Sequence, residues 1–172
     1  MRTRLCTLIL MPLTLAVCCR HSASSGEPQS LSATNSSQVE SGVRAFMSDV
    51  ARDVTQEGPA AWRKQFSDSP AFFMASEGNL AFPNSEAATR GIHDFALGIK
   101  HMQLVWGDDL RVDPLTPDLA VVAVPWREVH VDVAGKRVEE SGFFTGVVES
   151  RNGRWQFRDA HWSVAAPPPA AH

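Results

Sequence analysis

The sequence predicts an α+β domain in which helices come first and long strands follow. Three observations carry this. Val39, Val43, Phe46, Met47, Val50 and Val54 recur at helical spacing. From Met102 onward the apolar residues alternate with period two through four segments. The segments are separated by turn signals, of which Asn152-Gly153 is the strongest.

Each element has its own signals. Ser37 and Glu40 form a capping-box pattern that opens the first helix, and Gly58-Pro59 closes it. "PAAWRKQF" predicts a second, short helix with Pro59 in its first turn. "AFFMA", a turn at "SEGN" and "LAF" predict a small hairpin. "GIHDFALGIKH" predicts a third helix from Gly91, with Ile92, Phe95, Ala96 and Ile99 inward. Four strands then follow as a meander: "MQLVWGDDLRVD", "LAVVAVPWREVHVDV", "RVEESGFFTGVVES" and "WQFRDAHWS".

The termini do not read as fold. "MRTR" followed by "LCTLILMPLTLAV" has the charge and apolar length of a signal peptide, assigned to residues 1–19. The chain is therefore expected to be exported, to the periplasm, the exterior or a lipid-anchored place at the cell envelope. All three cysteines lie in this leader, so the domain is expected to have no disulfide and no cysteine metal ligand. "LAVC" resembles a bacterial lipobox apart from Val17, which makes Cys18 or Cys19 a candidate for lipid attachment. Residues 20–37 are Ser-rich and read as a flexible linker, 38–164 as the domain, and 165–172 as a Pro/Ala tail.

A net charge of −3 and scattered Lys and Arg argue against a nucleic-acid partner. Any membrane contact would come through the lipid anchor. No metal-ligand spacing and no phosphate loop appear, so no metal and no cofactor are implied.

The helix and following Trp62, the run "GNLAFPNSEAATRGIHDF", and the close "TGVVESRNGRWQFRDAHWS" together resemble the SnoaL-like, nuclear-transport-factor-2-like superfamily. Arg90, Gly91, Ile92 and Phe95 carry the helix motif; Asn152, Gly153, Trp155, Phe157, His161 and Ser163 carry the closing strand motif. The resemblance spans the whole domain. It implies a cone, with helices packed in a curved antiparallel sheet that leaves a pocket. Relatives range from cofactor-independent enzymes to non-enzymatic proteins, so the fold does not choose a function. The chain has no tyrosine, so the tyrosine hydroxyls on which ketosteroid isomerase and scytalone dehydratase lean have no counterpart.

Strand register suggests the site. With two-residue turns at Asn152-Gly153 and Ala134-Gly135, Gly146 would face Asp159, Phe144 would face His161 and Gly142 would face Arg127. One face would then hold Phe157, Asp159, His161 and Ser163 beside Gly142, Gly146 and Arg127. Asp159 and His161 are the candidate acid–base pair, with Arg127, Ser163, Phe144 and Phe157 as candidate ligand contacts. A structural hydrogen-bonded pair or a solvated face accounts for the same pattern, and a one-residue bulge would exchange the faces. Glu128, His130 and Asp132 read as rim charges. The face with Trp126 and Trp162 is expected to pack under the helices or to form a homodimer.

Three functions fit. The first is an exported, small-molecule-binding, accessory protein. The second is a cofactor-independent lyase, isomerase or hydrolase using Asp159 and His161. The third is a structural dimerisation module at the cell envelope.

Overall fold

The computed structural model describes residues 31–165. The leader, Cys18 and Cys19, and all but the first residue of the tail lie outside these residues.

Helix α1 runs Ala33–Glu57. Its cap is Ser32, whose Oγ accepts from the Asn35 N–H at 3.2 Å. The helix thus begins inside the segment expected to be a linker. Ser37 lies within it, and Glu40 pairs with Arg44 at 2.7 Å instead of closing a capping box. Val39, Val43, Phe46, Met47, Val50 and Val54 are buried, as the spacing predicts. Gly58, with φ +78°, ends the helix by donating its N–H to the Val54 carbonyl. A 3-10 turn, Pro59–Ala61, leads into the single turn α2, Trp62–Gln65. Asp53 ties α1 to α2, accepting from Lys64 and from Gln65, each at 3.0 Å.

Strands β1 (Phe73–Ser76) and β2 (Asn79–Phe82) form the expected hairpin. Glu77 and Gly78 both have positive φ, 51° and 75°, which is the type I′ geometry that matches strand twist. Helix α3 runs Ser85–Gly98, starting six residues before the predicted Gly91. The missed start signal is Asn84, whose side chain accepts from the Ala87 N–H at 2.8 Å.

The first predicted long strand is two, β3 (Ile99–Trp106) and β4 (Arg111–Thr116). Both pair with the same edge of β5 (Leu119–Asp132), β4 along its first half and β3 along its second. The gap falls at Pro125, which has no N–H to offer, and there Gly107 donates to the Pro125 carbonyl at 2.8 Å. Strands β6 (Arg137–Arg151) and β7 (Arg154–Val164) complete the sheet.

The path is β2-β1-β7-β6-β5-β3, with β4 attached to β5. Every pairing is antiparallel except β1 with β7, so the sheet is mixed rather than wholly antiparallel. Some eighty residues separate these two strands, and no tight turn dictates their relative direction.

Two turns set the registers. Asn152 and Gly153, with φ 53° and 75°, make the expected two-residue turn. The β5–β6 turn is one residue longer than predicted. Asp132 and Lys136 close it through an N–H···O bond of 3.0 Å, around Gly135 at φ +87°. Gly142 therefore pairs with Trp126, and Arg127 pairs with Ser141.

Farther along β7 a bulge intervenes. Val148 pairs with Phe157 but Val147 pairs with Asp159, leaving Arg158 as the extra residue. Phe157, Ala160 and Trp162 thereby share the concave face with Phe144, Val122, Val124 and Val148. That face is covered by α1 and is the core. Phe144 and Phe157 are fully buried, 5.1 Å apart, with Phe46 4.9 Å from Phe157.

Candidate functional site

The bulge relocates the predicted acid–base pair. Asp159 and His161 lie on the convex face, opposite Val147 and Thr145. His161 is exposed. Asp159 is half-buried, and its Oδ1 accepts from the Val147 N–H at 3.1 Å. Burial raises its carboxyl above the ordinary carboxylate range, against the opposing pull of that hydrogen bond. The two residues do not point into the cone.

The other predicted contacts also disperse. Arg127 is on the convex face, where it pairs with Glu139 at 2.5 Å. Ser163 donates to the Phe143 carbonyl at 3.1 Å. Phe144 and Phe157 do face the concave side, but as core beneath Trp162 rather than as pocket wall. Gly142 and Gly146, placed by the sequence beside the candidate pair, serve close packing. A Cβ on Gly142 would collide with the Ser163 carbonyl, and one on Gly146 would lie 2.8 Å from the Asp159 carbonyl oxygen. Trp126 and Trp162 lie inside the cone under the helices, the first of the two placements expected for their face; the convex face presents Phe143 and Val105.

The cone's cavity lies elsewhere on the same sheet. The alternation that sends Val122, Val124 and Trp126 inward continues to Glu128 and His130. There α3 faces the sheet, and Glu128 lines open space rather than core. The cavity has a volume of about 250 Å³. Trp62 and Phe66 from the α2 segment, Met74 and Ser76 from β1, and Ile92 and Phe95 from α3 form its sides. Trp126, Glu128, Glu140, Trp162 and Val164 form its sheet wall. At the mouth, Gly91 lets the Phe82 ring lie against α3, where a Cβ would clash.

Trp162 is the hub of the aromatic wall. Its ring is 5.5 Å from Trp62, 5.1 Å from Trp126, 5.8 Å from Trp106 and 4.6 Å from Phe144. Trp106 is anchored, donating Nε1–H to the Met47 carbonyl at 2.8 Å. Trp126 is not: its Nε1 is buried without a hydrogen-bond partner, which costs about 1–3 kcal/mol for a buried donor.

Polar chemistry gathers on β5. Glu128 Oε1 lies 3.0 Å from His130 Nδ1, with both side chains largely shielded, and the Phe95 ring meets His130 edge-on at 6.1 Å. Burial raises the Glu128 carboxyl above its ordinary range; the His130 hydrogen bond opposes this and the charge of Glu140 adds to it. Glu140 is the direct cross-strand neighbour of Glu128. The nearby cations are engaged on the other face, where Arg127 and Arg137 both hold Glu139. Among the described residues Glu128 and Glu140 line the cavity, with His130 paired to Glu128 but not lining it; Glu128 and His130 are the two that the sequence reads as rim charges. Their period-two continuity with Val122, Val124 and Trp126 was the available signal.

No protein-family model matches the chain, and no curated protein matches its sequence. Solved structures do match in shape. A nuclear transport factor 2-like superfamily protein from Salmonella enterica superposes with a TM-score of 0.65 at 14% identity, covering 78% of this chain and 96% of that one. A candidate scytalone dehydratase from Novosphingobium aromaticivorans superposes at 0.64 with 14% identity, covering 77% and 89%. The hexachlorocyclohexane dehydrochlorinase LinA-type3 from Novosphingobium barchaimii does so at 0.62 with 14% identity, covering 82% and 97%. Three helices inside a curved seven-stranded sheet, together with these superpositions, establish the nuclear-transport-factor-2-like cone fold for this chain.

Proposed function

We propose that this chain is an exported protein that binds a small, partly apolar molecule in the cone cavity. One observation carries the reading: a walled cavity lined by three indoles whose charged groups are confined to the β5–β6 side. Apolar walls with a few convergent polar groups are the usual make-up of a small-molecule site. The test is native mass spectrometry of protein isolated from its own cell envelope, followed by a ligand screen read through tryptophan emission. A co-purified molecule, or hits that perturb the emission of the wild type and lose affinity on Trp62→Ala, are expected. An empty protein with no hits sinks the reading. Export is checked by intact mass, which should place the mature N-terminus near Cys18 to Ser24; an uncleaved Met1 form at the final location contradicts it.

A second reading is a cofactor-independent lyase, favoured by the hydrogen-bonded Glu128–His130 pair beside the cavity. Proteins of the same fold bear the names dehydrochlorinase and dehydratase. In this reading Glu128 accepts a proton from the bound substrate and His130 orients the carboxylate. Glu128→Gln would abolish turnover while leaving binding in place.

A further inference from the structure

We propose that the ligand of the cone cavity is an organic cation: an ammonium group, substituted up to quaternary, on a compact apolar body. The inference rests on the cavity being a binding site and adds the charge of what it binds.

The aromatic wall is the first ground. Trp62 and Trp126 each meet Trp162 edge-on, with interplanar angles of 87° and 81°. Trp162 thus stands nearly perpendicular to each of the other two, and all three indoles line the cavity. The negative face of an indole attracts a cation, and a cage of such faces favours a quaternary ammonium group over its neutral counterpart.

The charge on the sheet wall is the second. Among the described residues, the ionisable ones lining the cavity are Glu128 and Glu140, and no Lys or Arg lines it. They are direct cross-strand partners, an arrangement in which like charges repel. Arg127 and Arg137 could have relieved that repulsion but are bound to Glu139 on the opposite face. His130 meets Glu128 from the same strand, whereas Glu140 has no ion-pair partner among the described residues. An anionic ligand would face two carboxylates with no cation to hold it. A neutral one would leave the repulsion as it stands. A cation between the carboxylates and the indoles satisfies both features together.

The test compares two probes that differ only in charge: choline and its neutral isostere 3,3-dimethylbutan-1-ol. Both are titrated by calorimetry into the full chain. Choline should bind more tightly by about thirty-fold, the equivalent of one desolvated cation–π contact of ~2 kcal/mol. Glu140 is exposed, so Glu140→Gln leaves the fold intact. It should weaken choline several-fold and leave the alcohol unchanged. Equal or tighter binding of the alcohol overturns the cation inference while keeping the cavity as a site. So does an undiminished choline affinity in Glu140→Gln. Binding of neither probe up to high millimolar concentration overturns the cation inference alone, provided the ligand screen yields neutral hits; if it yields none, the cavity reading falls with it.

Discussion

The two ends of the concave face are built from the same strands and serve opposite purposes. At one end Phe144, Phe157, Val122 and Val148 meet α1 in a closed core with no exposed surface. At the other, Trp126, Glu128 and Glu140 on the continuations of β5 and β6 meet a cavity roofed by α3. The difference is not in strand pattern, which alternates without interruption along β5. It lies in which helix stands above. Helix α1 is long and buries a six-residue apolar stripe, whereas α3 has only Ala88 and Ile92 buried and leaves Phe95 and Leu97 largely exposed. Stability is concentrated where burial is complete, and the cavity lies where it is not.

The sharpest test is to delete volume at each end. Phe144→Ala should cost about 3–5 kcal/mol, measured by chemical denaturation, because the cavity left beneath α1 cannot collapse. Phe95→Ala at the cavity mouth should cost less than about 1 kcal/mol, since the ring is already 41% exposed. Equal costs would erase the distinction between the two ends.

Deleting Arg158 probes how the faces are assigned. Without the extra residue, plain alternation still places Phe157, Ala160 and Trp162 inward. The variant should fold and lose only about 1–2 kcal/mol, the range of an ordinary local change. Loss of the folded state would show that the bulge itself, through its local twist, is required.

The charged end should reveal itself through pH. Burial raises the folded carboxyl of Glu128 above the ordinary value of about 4.3, so the folded state holds this proton more firmly than the unfolded chain does. Its contribution is most favourable below that ordinary value and declines as pH rises through the folded one. Glu128 is faced by His130 on its own strand and Glu140 on β6. Glu128→Gln removes the decline, so the variant should be more stable than wild type at neutral pH and equal to it in acid. A constant difference across pH would contradict this assignment.

The smallest expected effect is at Trp126. Trp126→Phe removes a buried donor that has no partner, a gain of about 1–3 kcal/mol, while losing part of a large ring from the wall. The two changes should nearly cancel in thermal unfolding. A large destabilisation would mean that the indole N–H has a partner, such as a bound water.

Much of the fold was legible in single residues. The α1 stripe, Gly58-Pro59, and the left-handed pair Asn152-Gly153 all stand where the sequence places them. The candidate site was half legible. Alternation places Trp162 and Trp126 on one packing face, as the structure has them, but it sends Asp159 and His161 to the wrong one. The overlooked clue was the spacing Phe157, Ala160, Trp162: a step of three followed by a step of two marks a bulge between two inward segments. Glu128 reads as a rim charge because exposed charges are the norm, although its register with Val124 and Trp126 is plain.

The order of helices and strands, the turn at Asn152-Gly153 and the inward stripe on β5 are written in the residues themselves. These depend on local propensity and on periodicity, which neighbouring residues encode directly. The parallel pairing of β1 with β7, the three-residue turn around Gly135, the bulge at Arg158, and so which polar residues meet the cavity, emerge only in the folded chain. A period-two pattern is unchanged in form when shifted by one residue. The choice between its two faces is therefore made by Phe157, Ala160 and Trp162 competing for burial beneath the helices, a contest between parts of the chain far apart in sequence.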